Sequence, residues 1–104
     1  MIKHCVFIQF RPEISQPERQ ALYQALAGLQ AHLNGWLGFA AGANDTPEQG
    51  MDKGYDGGFI IDFADEAALN AYQQHPLHQQ LSQQLVAAAQ QGVQGIMVFD
   101  MHLP

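Results

Sequence analysis

Basic side chains are scarce in this sequence. Lysine and arginine together occupy 4 of the 104 positions, against 10 for aspartate and glutamate, so the formal net charge is −6. The four basic residues are scattered along the chain at Lys3, Arg11, Arg19 and Lys53. Nucleic acids and anionic membranes are bound by neutralising several phosphates or lipid headgroups together. We therefore predict neither a nucleic-acid partner nor a membrane-surface partner.

Cysteine and long apolar runs are scarce as well. The single cysteine, Cys5, cannot form an internal disulfide and lies within an apolar stretch, which indicates a buried thiol in a reducing compartment. No apolar run approaches the ~18 residues that span a bilayer, and the first residues do not follow the pattern of a secretory signal. We expect a soluble protein of the cytoplasm.

Charged residues of either sign make up only 13% of the chain, whereas hydrophobic residues make up 47%. A length of 104 residues predicts a single domain, residues 1–104, with one hydrophobic core. A small domain has a large surface for its volume. So few charges on such a surface favour self-association.

Hydrophobic periodicity predicts the element order β-α-β-β-α-β. Apolar alternation indicates strands over four segments, Ile2 to Phe10, Trp36 to Asn44, Tyr55 to Phe63 and Gln94 to Met101. Helical spacing and capping residues indicate a first helix from Gln16 to Leu33. The second helix is predicted in two pieces, one that Asp65 caps and that runs to Gln74, and one from Pro76 that ends before Gly92. This order is typical of the ferredoxin-like α+β fold, with a four-stranded antiparallel sheet and the helices on one face.

The sheet face away from the helices is predicted to be apolar too. Lys3, Asp56 and Asp62 give it some polarity, but Cys5, Phe7 and Ile60 share it. A face with so much apolar surface is usually buried. Two copies packed sheet to sheet would form a closed barrel with the helices outside, so we predict a homodimer, a dimeric α/β barrel.

The segment Tyr72-Gln73-Gln74-His75-Pro76-Leu77-His78 carries most of the chemically interesting side chains. Proline disfavours a helix through the residue before it and starts a new one well, so a break is predicted here. The rings of Tyr72, His75 and His78 then converge near this break. Each candidate also has a structural interpretation: His4 as a satisfied core histidine, Tyr72 as core packing and His75 as a cap of the following helix.

Several short segments occur along the chain in a recognisable order. They are Ile2-Lys3-His4, Gly42-Ala43-Asn44, Lys53-Gly54-Tyr55-Asp56, Phe63, Tyr72-x-x-His75-Pro76-x-His78 and Phe99-Asp100. In this order and spacing the sequence resembles the stress-responsive dimeric α/β-barrel (Dabb) family over nearly the whole chain. The resemblance implies a homodimeric barrel and supports the dimer that the strand pattern indicates.

The resemblance also implies roles for particular residues. The family includes stress-induced proteins without a known reaction and a plant polyketide cyclase. In the cyclase type, a histidine at the position of His78 acts as acid and base, while residues at the positions of Tyr72 and His4 hold the substrate. A further tyrosine of that type falls at Leu26, so this chain departs from the pattern there.

We predict a pocket between helices and sheet for a small apolar or aromatic molecule, with cofactor-free cyclase-like or lyase-like acid/base chemistry. The predicted catalytic residues are His78, Tyr72 and His4. The predicted substrate-binding residues are Val6, Leu26, Phe59, His75 and Leu81. Neither a metal nor a cofactor is expected, because the H-P-x-H spacing is no established ligand motif and no phosphate-binding loop is present.

Two alternatives remain. In one, the chain is a non-enzymatic stress or assembly protein whose histidines merely satisfy one another. In the other, it is a cofactor-free monooxygenase, which rests on fold analogy alone. A cavity of ~300 Å³ or more that contains His78 favours the small-molecule hypothesis, and a core packed solid around these rings favours the assembly protein.

Overall fold

The computed structural model describes all 104 residues and contains one antiparallel sheet of four strands. The strands are β1 (Ile2–Ile8), β2 (Trp36–Ala43), β3 (Gly57–Phe63) and β4 (Ile96–His102), in the spatial order β2-β3-β1-β4. The predicted element order and the ferredoxin-like fold are confirmed. The first strand in sequence is therefore central, with a neighbour on each side.

Three α-helices pack on one face of this sheet: α1 (Gln16–Ala27), α2 (Glu66–Gln74) and α3 (Pro76–Ala88). The side chain of Asp65 accepts the N–H of Ala68 at 2.9 Å and caps α2, as predicted. The break at Pro76 also occurs as predicted, and separates α2 from α3. None of the helices combines the length and the apolar character that crossing a lipid bilayer requires.

The first helix ends earlier than predicted. Its α-helical part stops at Ala27, and a short 3₁₀ helix, Gly28–His32, continues the chain. Glycine is a poor helix former, which gives a physical reason for the change at Gly28. Leu29 remains buried in the 3₁₀ turn, so the apolar side of the predicted helix still faces the core.

Strand β2 departs from the predicted alternation. The pairing with β3 shifts between Trp36 and Gly38, which is a local irregularity of the bulge type. Trp36 and Phe39 consequently stack on each other on the core side. A regular strand would place Leu37 on the same face as Phe39, but Leu37 is 60% exposed.

Strand β3 begins two residues later than predicted, at Gly57. Asp56 was predicted on the sheet face away from the helices. It instead ends the preceding loop, where its carboxylate accepts the backbone N–H of Phe10 at 2.6 Å. The backbone N–H of Asp56 also donates to the carbonyl oxygen of Ile8 at 2.8 Å. Side-chain and backbone bonds of Asp56 thus tie the end of the first predicted strand to the start of the third.

The core lies between the sheet and the helices, and β1 contributes residues to both faces of the sheet. Ile2, Val6 and Ile8 are buried in the core cluster on the helix side. The alternate positions face away, and by strand register they share that surface with residues of all three other strands. In a single chain this second surface is partly bare: Phe99, for example, is 54% exposed.

One backbone position ties β2 to α2 closely enough to test. Gly35 has φ +77°, and a Cβ there would lie 2.7 Å from the Cβ of Ala68. Gly50 has a similar φ of +81° but open space around it. Alanine at Gly50 should cost roughly 1–2 kcal/mol for the left-handed backbone alone. Gly35→Ala should cost about 1–3 kcal/mol more, because it also overpacks the contact.

Chemical denaturation of both variants measures this difference in the free energy of unfolding. Equal losses for Gly35→Ala and Gly50→Ala would show that β2 and α2 are not packed as described.

Candidate functional site

Three rings from three elements meet on the helix side of the sheet. His4 lies on β1, Tyr72 lies in the last turn of α2, and His78 lies in the first turn of α3. The ring centroids of His4 and Tyr72 are 5.5 Å apart, and those of Tyr72 and His78 are 4.2 Å apart. The break at Pro76 makes this possible, because it redirects the chain between the two helical residues.

The ring of His4 is held by a carboxylate from the neighbouring strand. The β1–β4 register places Asp100 directly beside His4, and Nδ1 of His4 lies 2.6 Å from Oδ1 of Asp100. His4 is only 4% exposed. An ionised carboxylate can only accept, so Nδ1 of His4 carries a proton that it donates to Asp100.

Tyr72 is the most deeply buried of the three, with 1% of its surface exposed. Its ring packs against Phe63 at 5.3 Å and against Trp36 at 5.9 Å between centroids. Burial raises the pKa of the Tyr72 phenol above its ordinary value. At neutral pH the hydroxyl therefore keeps its proton and acts as a hydrogen-bond donor rather than as a base.

His78 is half-buried, and its Nδ1 lies 3.2 Å from the carbonyl oxygen of Gln73. A carbonyl can only accept, so Nδ1–H donates and Nε2 carries the lone pair. Burial lowers the pKa of His78 most; the nearby His4 and His75 lower it further, and the bond to Gln73 opposes them. At neutral pH His78 is thus a neutral imidazole able to accept a proton at Nε2.

These rings line one cavity of about 290 Å³ between the sheet and the helices. Six of the eight residues predicted for the site surround it, namely His4, Val6, Leu26, Phe59, Tyr72 and His78. Sequence reasoning did not select the other lining residues, which are Gln73, Ser82, Leu85, Val86, Val93, Ile96 and Val98. The wall is therefore mostly apolar, with the imidazoles and the phenol gathered in one part of it.

Two predicted substrate-binding residues lie outside this lining. His75 caps α3, because its Nδ1 accepts the backbone N–H of Leu77 at 3.1 Å. Leu81 packs against the hydrophobic core. Neither side chain is among the residues that line the cavity.

The first helix supplies no hydroxyl to the cavity. Leu26, where the resemblance implies a tyrosine in the cyclase type, contributes an apolar wall. Tyr23 lies one turn earlier and packs edge-on against Phe10 and Phe59, at 6.2 Å between centroids in each case. Burial raises the pKa of Tyr23 to about 12. This tyrosine belongs to the core rather than to the cavity lining.

A larger hollow, of about 480 Å³, lies elsewhere, against β2, β3 and the loop that joins them. Its floor includes Gly42, Gly58 and Phe7, which face away from the helices. No histidine lines it, so this hollow is separate from the cluster of imidazoles. No group of three or more His, Cys, Asp or Glu side chains in the chain is arranged to hold a metal ion.

Comparison with known families identifies the chain. The sequence model of the stress responsive A/B barrel domain, Dabb, matches residues 2–103. The protein belongs to the Dabb family. No curated protein matches the chain by sequence.

Solved structures share the fold. A dimeric ferredoxin-like protein of unknown function from Jannaschia sp. CCS1 is 34% identical, with a TM-score of 0.89 and 98% of each chain covered. Hydroxynitrile lyase from Passiflora edulis is 15% identical, with a TM-score of 0.82 over 99% of this chain and 93% of its own. SnoaB, a cofactor-independent oxygenase from Streptomyces nogalater, is 12% identical, with a TM-score of 0.76 over 98% of this chain and 91% of its own.

The environment of His78 leads to a titration prediction. Its pKa should fall below the ordinary value of 6.5, and its neutral form should carry the proton on Nδ1. Since the unfolded chain then binds a proton more readily than the folded chain, the free energy of unfolding should decrease as pH falls from 6.5 towards the lowered pKa. His78→Gln should remove the contribution of His78 to this pH dependence of the free energy of unfolding.

Nitrogen-15 NMR of the labelled imidazoles measures both the pKa and the tautomer. A pKa at or above 6.5, or a neutral form protonated on Nε2, would contradict the arrangement described for His78.

Proposed function

We propose that the chain acts as one domain that forms a homodimeric barrel, and that each protomer binds a small apolar or aromatic molecule in the cavity of about 290 Å³. The observation that carries this proposal is the meeting of His4, Tyr72 and His78 at one cavity whose remaining wall is largely apolar. Ligand pockets commonly combine an apolar lining with a few convergent polar groups. The Jannaschia protein is described as dimeric, and a homodimer of this chain would cover the apolar second face of its sheet.

The proposed chemistry is proton transfer without a cofactor. Nε2 of neutral His78 takes a proton from a carbon or hydroxyl group activated by a neighbouring carbonyl. The resulting imidazolium returns the proton to an oxygen of the product, so the enzyme ends as it began. The Tyr72 phenol, which keeps its own proton, donates a hydrogen bond to the carbonyl oxygen where negative charge develops.

His4 is proposed to orient the substrate. Its ring cannot turn freely, because Asp100 holds Nδ1 at 2.6 Å. A ligand group that contacts His4 therefore encounters the ring in a single orientation. Proton transfer of this kind suits a ring closure or a lyase step, and the name of the Passiflora neighbour shows that a lyase uses the same fold.

The size of the cavity restricts the substrate class. A volume of about 290 Å³ lies just below the roughly 300–1,000 Å³ usual for ligand pockets. A compact molecule of one or two rings with a carbonyl group suits this volume and this lining. The apolar side wall from Leu26 leaves no donor on the α1 side, so the polar groups of the ligand would point towards His78 and His4.

A non-enzymatic role has an observation of its own in its favour. Tyr72 is packed by Phe63 and Trp36, and His4 is satisfied by Asp100. Both residues therefore contribute to the core whatever binds in the cavity. In this alternative the useful property of the protein is its stable assembly, and the cavity binds no specific ligand.

A binding and turnover screen separates the two. We expect aromatic aldehydes, phenolic ketones and β-keto acids to include ligands of the wild-type protein by calorimetry, with His78→Ala weakening the tightest at least tenfold, about 1.4 kcal/mol. Tyr72→Phe, which keeps the ring, should slow turnover of the same compound more than it weakens binding. His32→Ala is the matched control, because His32 is exposed and lies outside the cavity lining, and it should leave both unchanged.

Equal binding by the wild type and His78→Ala would show that the ligand does not bind in this cavity, and would contradict the proposal. Binding that depends on His78 but yields no product with any compound of the screen would leave a binding protein and not an enzyme.

A further inference from the structure

Ser82 is the one polar residue of the cavity lining that lies away from the cluster of imidazoles. His78, Ser82 and Val86 all line the cavity and follow one another at four-residue steps along α3. Side chains four residues apart share one face of a helix, and each step advances about 6 Å along the helix axis. Ser82 therefore forms a second level of the cavity, one turn beyond His78 and one turn before Val86.

The other polar lining residues gather at the first level, around His78. The ring centroid of Tyr72 lies 4.2 Å from that of His78, and the ring centroid of His4 lies 5.5 Å from that of Tyr72. Gln73 adjoins them in sequence, and its carbonyl oxygen accepts the hydrogen bond from Nδ1 of His78. All remaining lining residues except Ser82 are apolar. At the second level the Ser82 hydroxyl is thus the only polar side-chain group that a ligand contacts.

Neither solvation nor packing accounts for a serine at this position of α3. The helix places glutamine at its exposed positions, namely Gln79, Gln80, Gln83 and Gln84. Its positions that are not exposed hold apolar residues, with the exceptions of His78 and Ser82. Serine is a poorer helix former than alanine and contributes little apolar surface. The inward face of α3 is therefore interrupted by two polar residues, and both of them line the cavity.

The Ser82 hydroxyl has no hydrogen-bond partner within the protein. The side-chain hydrogen bonds of the chain include none from Ser82. A serine within a helix often bonds the carbonyl oxygen four residues earlier, here that of His78, but this bond is not formed. Partly buried polar groups normally have a partner. The hydroxyl, which both donates and accepts, is therefore available to a ligand in the cavity.

We propose that Ser82 binds a second oxygen of the ligand and makes the site selective for hydroxyaryl carbonyl compounds whose hydroxyl lies across the ring from the carbonyl group. The inference rests on the proposed function of the cavity and specifies its ligand. The carbonyl oxygen lies at the first level, where the Tyr72 phenol donates to it. The ligand hydroxyl lies at the second level and forms a hydrogen bond with Ser82.

The spacing of the two levels excludes the ring position next to the carbonyl group. Oxygens on neighbouring substituents of a ring lie within hydrogen-bond distance of each other, whereas one helical turn separates His78 from Ser82 by about 6 Å. A hydroxyl at the 2-position therefore bonds the carbonyl of its own molecule and does not reach Ser82. Hydroxyls at the 3- and 4-positions extend away from the carbonyl towards the second level.

Calorimetric titration with acetophenone and its 2-, 3- and 4-hydroxy derivatives tests the proposal. The wild type should bind at least one of the 3- and 4-hydroxy compounds about fivefold tighter than acetophenone, which is the usual gain from one hydrogen bond between neutral groups. The 2-hydroxy compound should gain nothing. This comparison uses only the wild-type protein, so it decides the question even where a variant does not fold.

Variants at Ser82 assign the preference to its hydroxyl. Ser82→Ala should fold, because alanine is the better helix former. It should lose the fivefold preference and bind acetophenone as the wild type does. Ser82→Thr keeps a hydroxyl and should keep the preference. Gln83→Ala is the matched control, because Gln83 is the next residue of the helix, is exposed and lies outside the cavity lining; it should leave all four affinities unchanged.

The outcomes separate this inference from the proposed function. If Ser82→Ala keeps the preference, or if the wild type shows none, while His78→Ala still weakens the binding of these ketones, the role of Ser82 is wrong and the ligand site stands. If none of the ketones binds, or if His78→Ala binds them as the wild type does, the ligand site and the role of Ser82 are overturned together.

Discussion

The burial of β1 on both sides is the constraint on which the other features depend. This strand is central in the sheet, and its alternate residues point towards the helices on one side and away from them on the other. The helices of one chain can cover only the first side. A sheet with exposed methionine and phenylalanine on its second side gains stability when another apolar surface excludes water from it. The same alternation that builds the core thus also leaves an apolar surface that assembly would cover.

The candidate site depends on the same strand. His4 takes a core position of β1, and the register with β4 brings the Asp100 carboxylate to its Nδ1. The break at Pro76 then places Tyr72 and His78 above it, at the end of one helix and the start of the next. A rigid sheet and a helix junction hold the three rings, so the site requires no loop to order itself.

Much of this arrangement follows from local chemistry and could be predicted. The Asp65 cap and the break before Pro76 are encoded within a few residues, and both occur as expected. The partner of His4 was beyond prediction, because Asp100 lies 96 residues away and only the register of β1 with β4 joins them. The register shift in β2 that exposes Leu37 could not be predicted for a similar reason, because the pairing of β2 with β3 determines it. His75 was predicted to bind substrate or to cap the following helix, and the structure shows the capping hydrogen bond.

The most direct test of the central claim is sedimentation equilibrium of the wild-type protein over a wide range of micromolar concentrations. We predict a single species of twice the 11.5 kDa mass of one chain. A stable species of 11.5 kDa throughout that range, with the sheet face away from the helices in contact with water, would contradict the claim that β1 needs cover on both sides.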